Sequence, residues 1–136
     1  MQVPFTGGCA CGAIRYRCTA DPLFALNCHC RDCQRETGSA YAPILGVPAA
    51  AFAVTHGSPR YFEVQAESGA TTRRAFCGDC GSALFGAPGS NAGMATIRAA
   101  SLDDPSQFRP VRDIFVASAQ PWDCMSPDLP KTQRLG

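Results

Sequence analysis

Seven of the nine cysteines in this chain fall into three tight clusters, and this grouping constrains the fold more than any other feature. The clusters are Cys9-Ala10-Cys11, then Cys28, Cys30 and Cys33, then Cys77-Gly78-Asp79-Cys80. Four thiolates complete a tetrahedral zinc site, whereas three leave a metal with an open coordination position. Groups of two, three and two thiolates can therefore build one closed site and one site that remains open to a ligand.

Composition and charge narrow the class of function. The chain has 136 residues, of which 46% are apolar and 17% charged, and its net charge is +1. This balance argues against a nucleic-acid partner, because such domains are usually basic with clustered Lys and Arg. A chain of this length buries enough surface for one domain with its own core, so a single domain is expected over residues 1–136. Residues 120–136 are expected to form an extended, weakly ordered tail.

No segment looks like a membrane span or a targeting signal. A span needs roughly eighteen consecutive apolar residues, and a signal peptide needs a charged region followed by an apolar one. Neither occurs in the sequence, so no membrane partner is expected. The expected compartment is a reducing cytoplasm, where clustered thiols serve as metal ligands or redox groups and not as disulfides.

The pattern of the remaining residues is typical of an antiparallel all-β domain. Short apolar runs alternate with Gly, Pro, Ser and Asp about every eight to twelve residues. The predicted strands are 13–18, 23–27, 40–47, 52–56, 60–64, 72–76, 83–86, 94–98 and 113–117. The predicted turns between them include 57–59, 66–70 and 87–91. One short helix is predicted at Arg31–Thr37, ended by Gly38, and another is expected to begin at Ser101, whose side chain would cap it.

The first and third clusters have the surroundings of metal-binding turns. Glycines flank Cys9 and Cys11 and allow the backbone angles of a tight turn. The third cluster, followed by Gly81, has the form of a zinc knuckle. A lone C-x-x-C is also a redox motif, but the βαβ context of thioredoxin is missing. Together the two pairs supply four sulfurs, the ligand count of a structural site.

The middle cluster differs because Cys28, Cys30 and Cys33 can reach one metal from a single loop and helix start. A helix N-terminus and the nearby Arg31 and Arg35 favour thiolates at neutral pH. With three sulfurs bound, the fourth zinc position would hold water or an incoming ligand, which is the arrangement of a catalytic site. An external thiol is a natural ligand for thiophilic zinc.

Five isolated residues receive simple interpretations. His29 could act as a fourth ligand of the middle cluster, which would close that site. It is expected instead to lie beside the metal without binding it, or to be an ordinary exposed histidine. His56 is read as a turn residue. Cys18 and Cys124 are expected to be small buried hydrophobic residues, and Trp122 is expected to pack the start of the tail against the core.

Spacing alone does not decide how the clusters pair. Cys77 and Cys80 could instead join two members of the middle cluster, which would leave Cys9 and Cys11 without a role.

The order C-x-C, C-x-C-x-x-C, C-x-x-C resembles the glutathione-dependent formaldehyde-activating enzyme family. The matching stretches are 7–12, 28–35, 37–40, 76–82, 101–105, 121–122 and 129–130, so the resemblance covers nearly the whole chain. It implies an Mss4-like, or β-tent, fold of antiparallel sheets held by zinc. One departure is Asp113, since members often carry a histidine there.

The resemblance also implies cofactors, substrates and site residues. It implies a structural zinc bound by Cys9, Cys11, Cys77 and Cys80, and a second, catalytic zinc bound by Cys28, Cys30 and Cys33. It further implies a carbon–sulfur lyase reaction, run in either direction, that joins a small thiol such as glutathione to a small aldehyde such as formaldehyde. The alternatives are a zinc-stabilised binding module without catalysis and a thiol redox or metal sensor. The oligomeric state is not specified by the sequence.

Overall fold

The protein is described by a computed structural model that covers residues 1–66, 69–87 and 93–135. Within these residues the chain forms ten β-strands and one α-helix. The strands are β1 (Phe5–Gly8), β2 (Arg15–Cys18), β3 (Phe24–Cys28), β4 (Ala42–Pro48), β5 (Phe52–His56), β6 (Arg60–Gln65), β7 (Thr71–Phe76), β8 (Ala83–Ala87), β9 (Met94–Arg98) and β10 (Asp113–Ile114). The helix α1 is Arg31–Thr37, and short 3-10 turns occur at Ala49–Ala51, Ala99–Ser101, Pro105–Gln107 and Val116–Ser118.

The strands belong to two sheets. The smaller sheet has the order β1-β2-β5, and the larger has the order β10-β3-β4-β9-β8-β7-β6. Among the described residues every strand pair is antiparallel except β10 with β3, which is parallel. The prediction of a mainly antiparallel all-β domain with little helix is therefore confirmed.

The main core takes side chains from both sheets. Tyr16 on β2 is fully buried, and its ring centroid lies 5.3 Å from that of Phe52 on β5. Phe52 in turn lies 4.7 Å from Phe85 on β8 of the larger sheet, measured between ring centroids. Because these rings span both sheets, burying them joins the sheets into one apolar unit.

A second, smaller core surrounds two of the clustered cysteines. It contains Leu26, Cys28, Cys33, Ala42, Ile44 and Ile114. Ile44 belongs to this core while its neighbour Leu45 belongs to the main one, because successive side chains of a strand point to opposite faces. Strand β4 thus separates the main core from the middle cysteine cluster.

Most predicted elements are present, and the differences lie before β2 and after β9. Strand β1 was not predicted, since its sequence Phe-Thr-Gly-Gly has weak strand propensity and is held by pairing with β2. The predicted strand 113–117 contains only Asp113–Ile114, because Phe115 takes the left-handed conformation with a φ of 57° and a 3-10 turn follows.

The predicted helix starting at Ser101 is wrong. A 3-10 turn ends at Ser101, whose hydroxyl donates to the carbonyl of Arg98 at 2.7 Å. It is Asp104 that caps the next turn, Pro105–Gln107, by accepting from the backbone N–H of Ser106. Of the predicted turns, Glu67 and Ser68 in 66–70, and Pro88 to Asn91 in 87–91, lie outside the described residues.

The C-terminal segment is tied to the domain, contrary to the expectation of weak order. The backbone N–H groups of Asp113, Phe115 and Val116 donate to the carbonyls of Pro130, Arg134 and Thr132 at 2.9 to 3.1 Å. The expected packing of Trp122 is also wrong, because this side chain is 68% exposed. The hydrogen bonds, and not an aromatic anchor, hold the tail. In the described part of the chain, no helix is both long and apolar enough to span a bilayer.

The main core gives a first prediction. Leu84 is fully buried, so Leu84→Ala should lower the free energy of unfolding by roughly 2–5 kcal/mol, measured by urea unfolding in excess zinc. Leu23 is 62% exposed, so Leu23→Ala is the matched control and should change it by less than about 0.5 kcal/mol. Equal effects of the two substitutions would contradict this description of the core.

Candidate metal centres

Four cysteine sulfurs converge where the two sheets meet. The Sγ atoms of Cys9, Cys11, Cys77 and Cys80 all lie within 4.8 Å of one another. The Sγ–Sγ distance is 3.6 Å between Cys9 and Cys11, and 3.7 Å between Cys11 and Cys77. A tetrahedron of four zinc–sulfur bonds of about 2.3 Å has sulfur–sulfur edges of roughly 3.8 Å. The residues of this four-cysteine cluster therefore fit a tetrahedral, thiophilic metal, and they resolve the pairing that spacing left open.

Two turns aim these sulfurs and supply backbone donors to them. In the turn between β1 and β2, the N–H of Ile14 donates to Cys9 Sγ at 3.2 Å. In the turn between β7 and β8, the N–H of Asp79 donates to Cys77 Sγ at 3.4 Å. Gly12 and Gly81 have positive φ values of 81° and 79°, which side-chain-bearing residues rarely adopt. The predicted tight turn and knuckle are both present.

Ser82 also belongs to this site, although no feature of the sequence beyond its position after the knuckle singles it out. Its hydroxyl lies 3.2 Å from Cys80 Sγ and accepts from the N–H of Ala10 at 3.0 Å. The hydrogen bonds from the Ser82 side chain and backbone lower the pKa of the Cys80 thiol to about 5. Ser82 thereby joins the two turns and favours the thiolate that a metal requires.

The middle cluster of the sequence, Cys28, Cys30 and Cys33, is built locally and is called the three-cysteine cluster below. Cys28 ends β3, Cys30 is the N-cap of α1, and Cys33 lies in its first turn. Cys30 Sγ accepts from the N–H of Cys33 at 3.3 Å, and the three Sγ atoms lie within 4.8 Å of one another. Among the described residues this group has three members, so it fits a metal that keeps an open position. The helix ends at Gly38 as predicted.

The three-cysteine cluster favours negative charge on one sulfur. Hydrogen bonds from the thiols of Cys28 and Cys33, followed by the Cys33 N–H and the charge of Arg74, outweigh burial and lower the pKa of Cys30 to about 2. The same contact with Cys30, together with Cys33 and burial, raises the pKa of Cys28. A divalent cation bound here would release the remaining protons, since metals bind thiolates and not thiols.

His29 is neither an exposed histidine nor placed to bind a metal. Its Nε2 lies 2.9 Å from Asp113 Oδ1 and its Nδ1 lies 2.6 Å from Asp123 Oδ2, with all three side chains at most 2% exposed. Because each ring nitrogen contacts a carboxylate oxygen, neither is free to bind a metal. His29 therefore fixes the cysteine loop to the C-terminal segment, a role that sequence reasoning missed because Asp113 and Asp123 are distant in sequence.

The carboxylate of Asp113 is the centre of this network. It accepts from Lys131 Nζ at 3.0 Å and from Asn27 Nδ2 at 3.3 Å, as well as from His29. Burial raises the pKa of Asp113, but the hydrogen bonds from His29, Lys131 and Asn27 outweigh it, so the pKa lies below its ordinary value. The network thus holds a carboxylate in place under the loop that carries Cys28 and Cys30.

On its other side the three-cysteine cluster meets a buried chain of ionic groups. The Nη1 of Arg74 lies 3.7 Å from Cys33 Sγ and 3.5 Å from Glu36 Oε2. The Glu36 carboxylate accepts two hydrogen bonds from Arg98, at 2.6 and 3.0 Å. None of these three residues was singled out from the sequence, because isolated arginines and glutamates are usually exposed.

A groove of about 750 Å³ opens beside this ionic chain. Its walls include polar side chains of both signs, among them Arg15, Glu36, Tyr41, Arg98 and Asp103. The cysteines of the three-cysteine cluster do not line it. Glu36 connects the groove to the three-cysteine cluster, because it lines the groove and its carboxylate contacts Arg74, which contacts Cys33.

The remaining predicted residues have structural or surface positions. All nine cysteines are free thiols. Cys18 is fully buried as expected, whereas Cys124 is exposed, so the expectation of burial is wrong there. His56 is exposed at the end of β5, and its Nδ1 lies 3.3 Å from the carbonyl of Ala13.

The two sheets and the cysteine clusters define an all-β protein of Mss4-like fold with two candidate metal centres. The chain belongs to the glutathione-dependent formaldehyde-activating enzyme family, whose model matches residues 4–118. The crystal structure of a Rhodobacter sphaeroides protein aligns with 93% of this chain and 99% of that one, with a TM-score of 0.60 and 19% sequence identity. At this identity the likeness shows the fold alone.

The network around Asp113 gives a second prediction. Asp113→Asn should lower the free energy of unfolding by roughly 1–3 kcal/mol, because the buried ring of His29 and the partly exposed ammonium group of Lys131 then lack their charged partner. A carboxylate with a lowered folded-state pKa stabilises the fold above its unfolded pKa and loses this contribution as pH falls through the folded value. The difference from wild type should therefore persist from pH 7 to pH 5 and shrink only below about pH 4.

Urea unfolding in excess zinc at several pH values measures this difference. Asp128→Asn is the control, since Asp128 is an exposed carboxylate of the same segment. A difference that vanished between pH 7 and pH 5 would contradict the assignment.

Proposed function

We propose that this protein is a zinc-dependent carbon–sulfur lyase that adds a small thiol such as glutathione to a small aldehyde such as formaldehyde, or catalyses the reverse reaction. The observation that carries the proposal is the three-cysteine cluster, in which three sulfurs converge without a fourth ligand among the described residues. A purely structural site would be expected to have four ligands. Membership of the family supports the reaction class.

In this proposal the two clusters hold two zinc ions per chain and have different roles. Cys9, Cys11, Cys77 and Cys80 form the structural site, and Cys28, Cys30 and Cys33 form the catalytic one. Zinc held by three thiolates supplies a Lewis acid with a position for a substrate thiolate or an aldehyde oxygen.

The protein's own side chains would prepare this site for a reaction between a thiolate and a carbonyl. The hydrophobic residues around Cys28 and Cys33, including Leu26, Ile44 and Ile114, exclude water from the sulfurs and strengthen electrostatic interactions there. Arg74 places positive charge 3.7 Å from Cys33 Sγ. Holding thiol and aldehyde together in such a site supplies acceleration by proximity.

The groove is the proposed location of the body of the thiol substrate. A glutathione-like peptide carries carboxylates and an ammonium group, and the groove walls offer Arg15 and Arg98 for the former and Glu36 and Asp103 for the latter. Charged groups of both signs on the groove walls would fix the orientation in which such a ligand binds.

The proposal extends to the setting in which the protein works. All nine cysteines are free, and thiolate ligands of this kind need a reducing compartment such as the cytoplasm. The chain is proposed to act as a single domain over residues 1–136.

The cysteine clusters give a third prediction. Wild-type protein equilibrated with zinc and desalted should contain two zinc ions per chain, and Cys30→Ser should retain only one. The variant should also lose catalysis of the glutathione–formaldehyde reaction, because its three-cysteine site can no longer hold the metal. Exchange NMR of glutathione and formaldehyde measures the rate, and elemental analysis measures the zinc.

Cys124→Ser is the matched control, because Cys124 is an exposed thiol outside both clusters. It should keep two zinc ions and full activity. Wild-type rates in the Cys30→Ser variant, or two zinc ions without catalysis of any thiol–aldehyde pair, would contradict the proposed function.

A further inference from the structure

Arg73 and Arg74 are neighbours on β7 that face opposite sides of the sheet. The side chain of Arg73 is 55% exposed, and its guanidinium lies 4.2 Å from the ring centroid of Tyr61. The side chain of Arg74 is 10% exposed and points to Cys33 and Glu36. The alternation of a strand places one arginine on the surface and the other beside the three-cysteine cluster.

The charges around Arg74 do not balance without the cluster. Glu36 is the acidic partner of both Arg74 and Arg98, and Arg98 makes the closer, two-bond contact. Two guanidinium groups and one carboxylate leave one positive charge. These side chains are at most 10% exposed, and a buried charge without a partner is strongly unfavourable. The remaining positive charge lies against Cys33, so the group that balances it must be on the cluster.

Three thiolates and one divalent cation carry one net negative charge, which matches the surplus on the arginines. In addition, Arg74 Nε is buried with no hydrogen-bond acceptor among the described residues. Buried donors of a purely structural arginine are normally satisfied, so this orphaned atom also indicates a role beyond packing.

We propose that Arg74 is a positioning residue of the three-cysteine site, where its guanidinium balances the charge of the metal–trithiolate centre and orients Cys33. The proposal rests on the proposed function only in that Cys28, Cys30 and Cys33 bind a divalent metal. It assigns Glu36 and Arg98 a supporting role, since Glu36 holds the Arg74 guanidinium toward the sulfur and Arg98 holds Glu36.

The test compares metal affinity at the two clusters of the full chain. Arg74→Gln should weaken zinc binding at the three-cysteine site by roughly ten- to a hundredfold, in the range seen when a group supporting a metal ligand is removed. The four-cysteine site should be unchanged. Competition with a chromophoric chelator measures both affinities, and the thiolate-to-metal absorption of the cobalt-loaded protein reports how many thiolates remain bound.

Arg73→Gln is the matched control, because it removes the same charge from the adjacent, exposed position, and it should leave both sites as in wild type. Arg74→Lys keeps the charge without the guanidinium fork, so it should restore most of the affinity. A folded Arg74→Gln protein with wild-type zinc affinity at both sites would overturn the proposal.

Glu36→Gln decides the question if Arg74→Gln fails to fold. This substitution removes the carboxylate that holds the Arg74 guanidinium toward Cys33, so the three-cysteine site should bind zinc more weakly while the four-cysteine site is unchanged. Unchanged or tighter binding at the three-cysteine site would contradict the proposal. The outcome is separate from that of the proposed function. If wild-type protein bound two zinc ions but showed no turnover, the proposed enzyme activity would be rejected. The zinc affinities of the Arg74 and Glu36 variants would still decide the role of Arg74.

Discussion

The structure depends on bringing cysteines from distant parts of the chain into one small volume. Cys11 and Cys77 are 66 residues apart, yet their sulfurs are 3.7 Å apart. The first lies in a turn of the smaller sheet and the second in a turn of the larger one, so the four-cysteine cluster joins the two sheets at one end while the aromatic core joins them along their faces. Four adjacent thiolates repel one another, and a cation among them converts that repulsion into a cross-link.

The three-cysteine cluster follows a different principle. Its sulfurs come from six consecutive residues, so the end of β3 and the cap of α1 bring them together without long-range pairing. Long-range contacts instead supply the surroundings. On one side the ring of His29 lies between two carboxylates, and on the other Arg74 lies between Cys33 and Glu36. Each charged group near the sulfurs is held by an oppositely charged neighbour, which keeps the loop in place.

Much of the fold could be read from the sequence because it is encoded in local patterns. Most strands follow from short apolar runs between turn residues, and α1 follows from the glycine at its end. The pairing of the clusters, the partners of His29 and the burial of Arg74 could not be predicted, because each depends on residues far apart in sequence. Trp122 and Cys124 show the opposite error, since their residue types favour burial but the tail is held by backbone hydrogen bonds and leaves them exposed.

Strand β7 serves both clusters, since Arg74 contacts Cys33 and Cys77 follows the end of the strand. A slip of one residue in its pairing would turn Arg73 inward and Arg74 outward, and it would also displace the knuckle. An insertion or deletion between Arg74 and Cys77 would therefore damage two centres at once, even though it touches no ligand. The spacing of three residues from Arg74 to Cys77 therefore fixes the position of one metal centre relative to the other. Either centre can be altered without disturbing the other only if this spacing is kept.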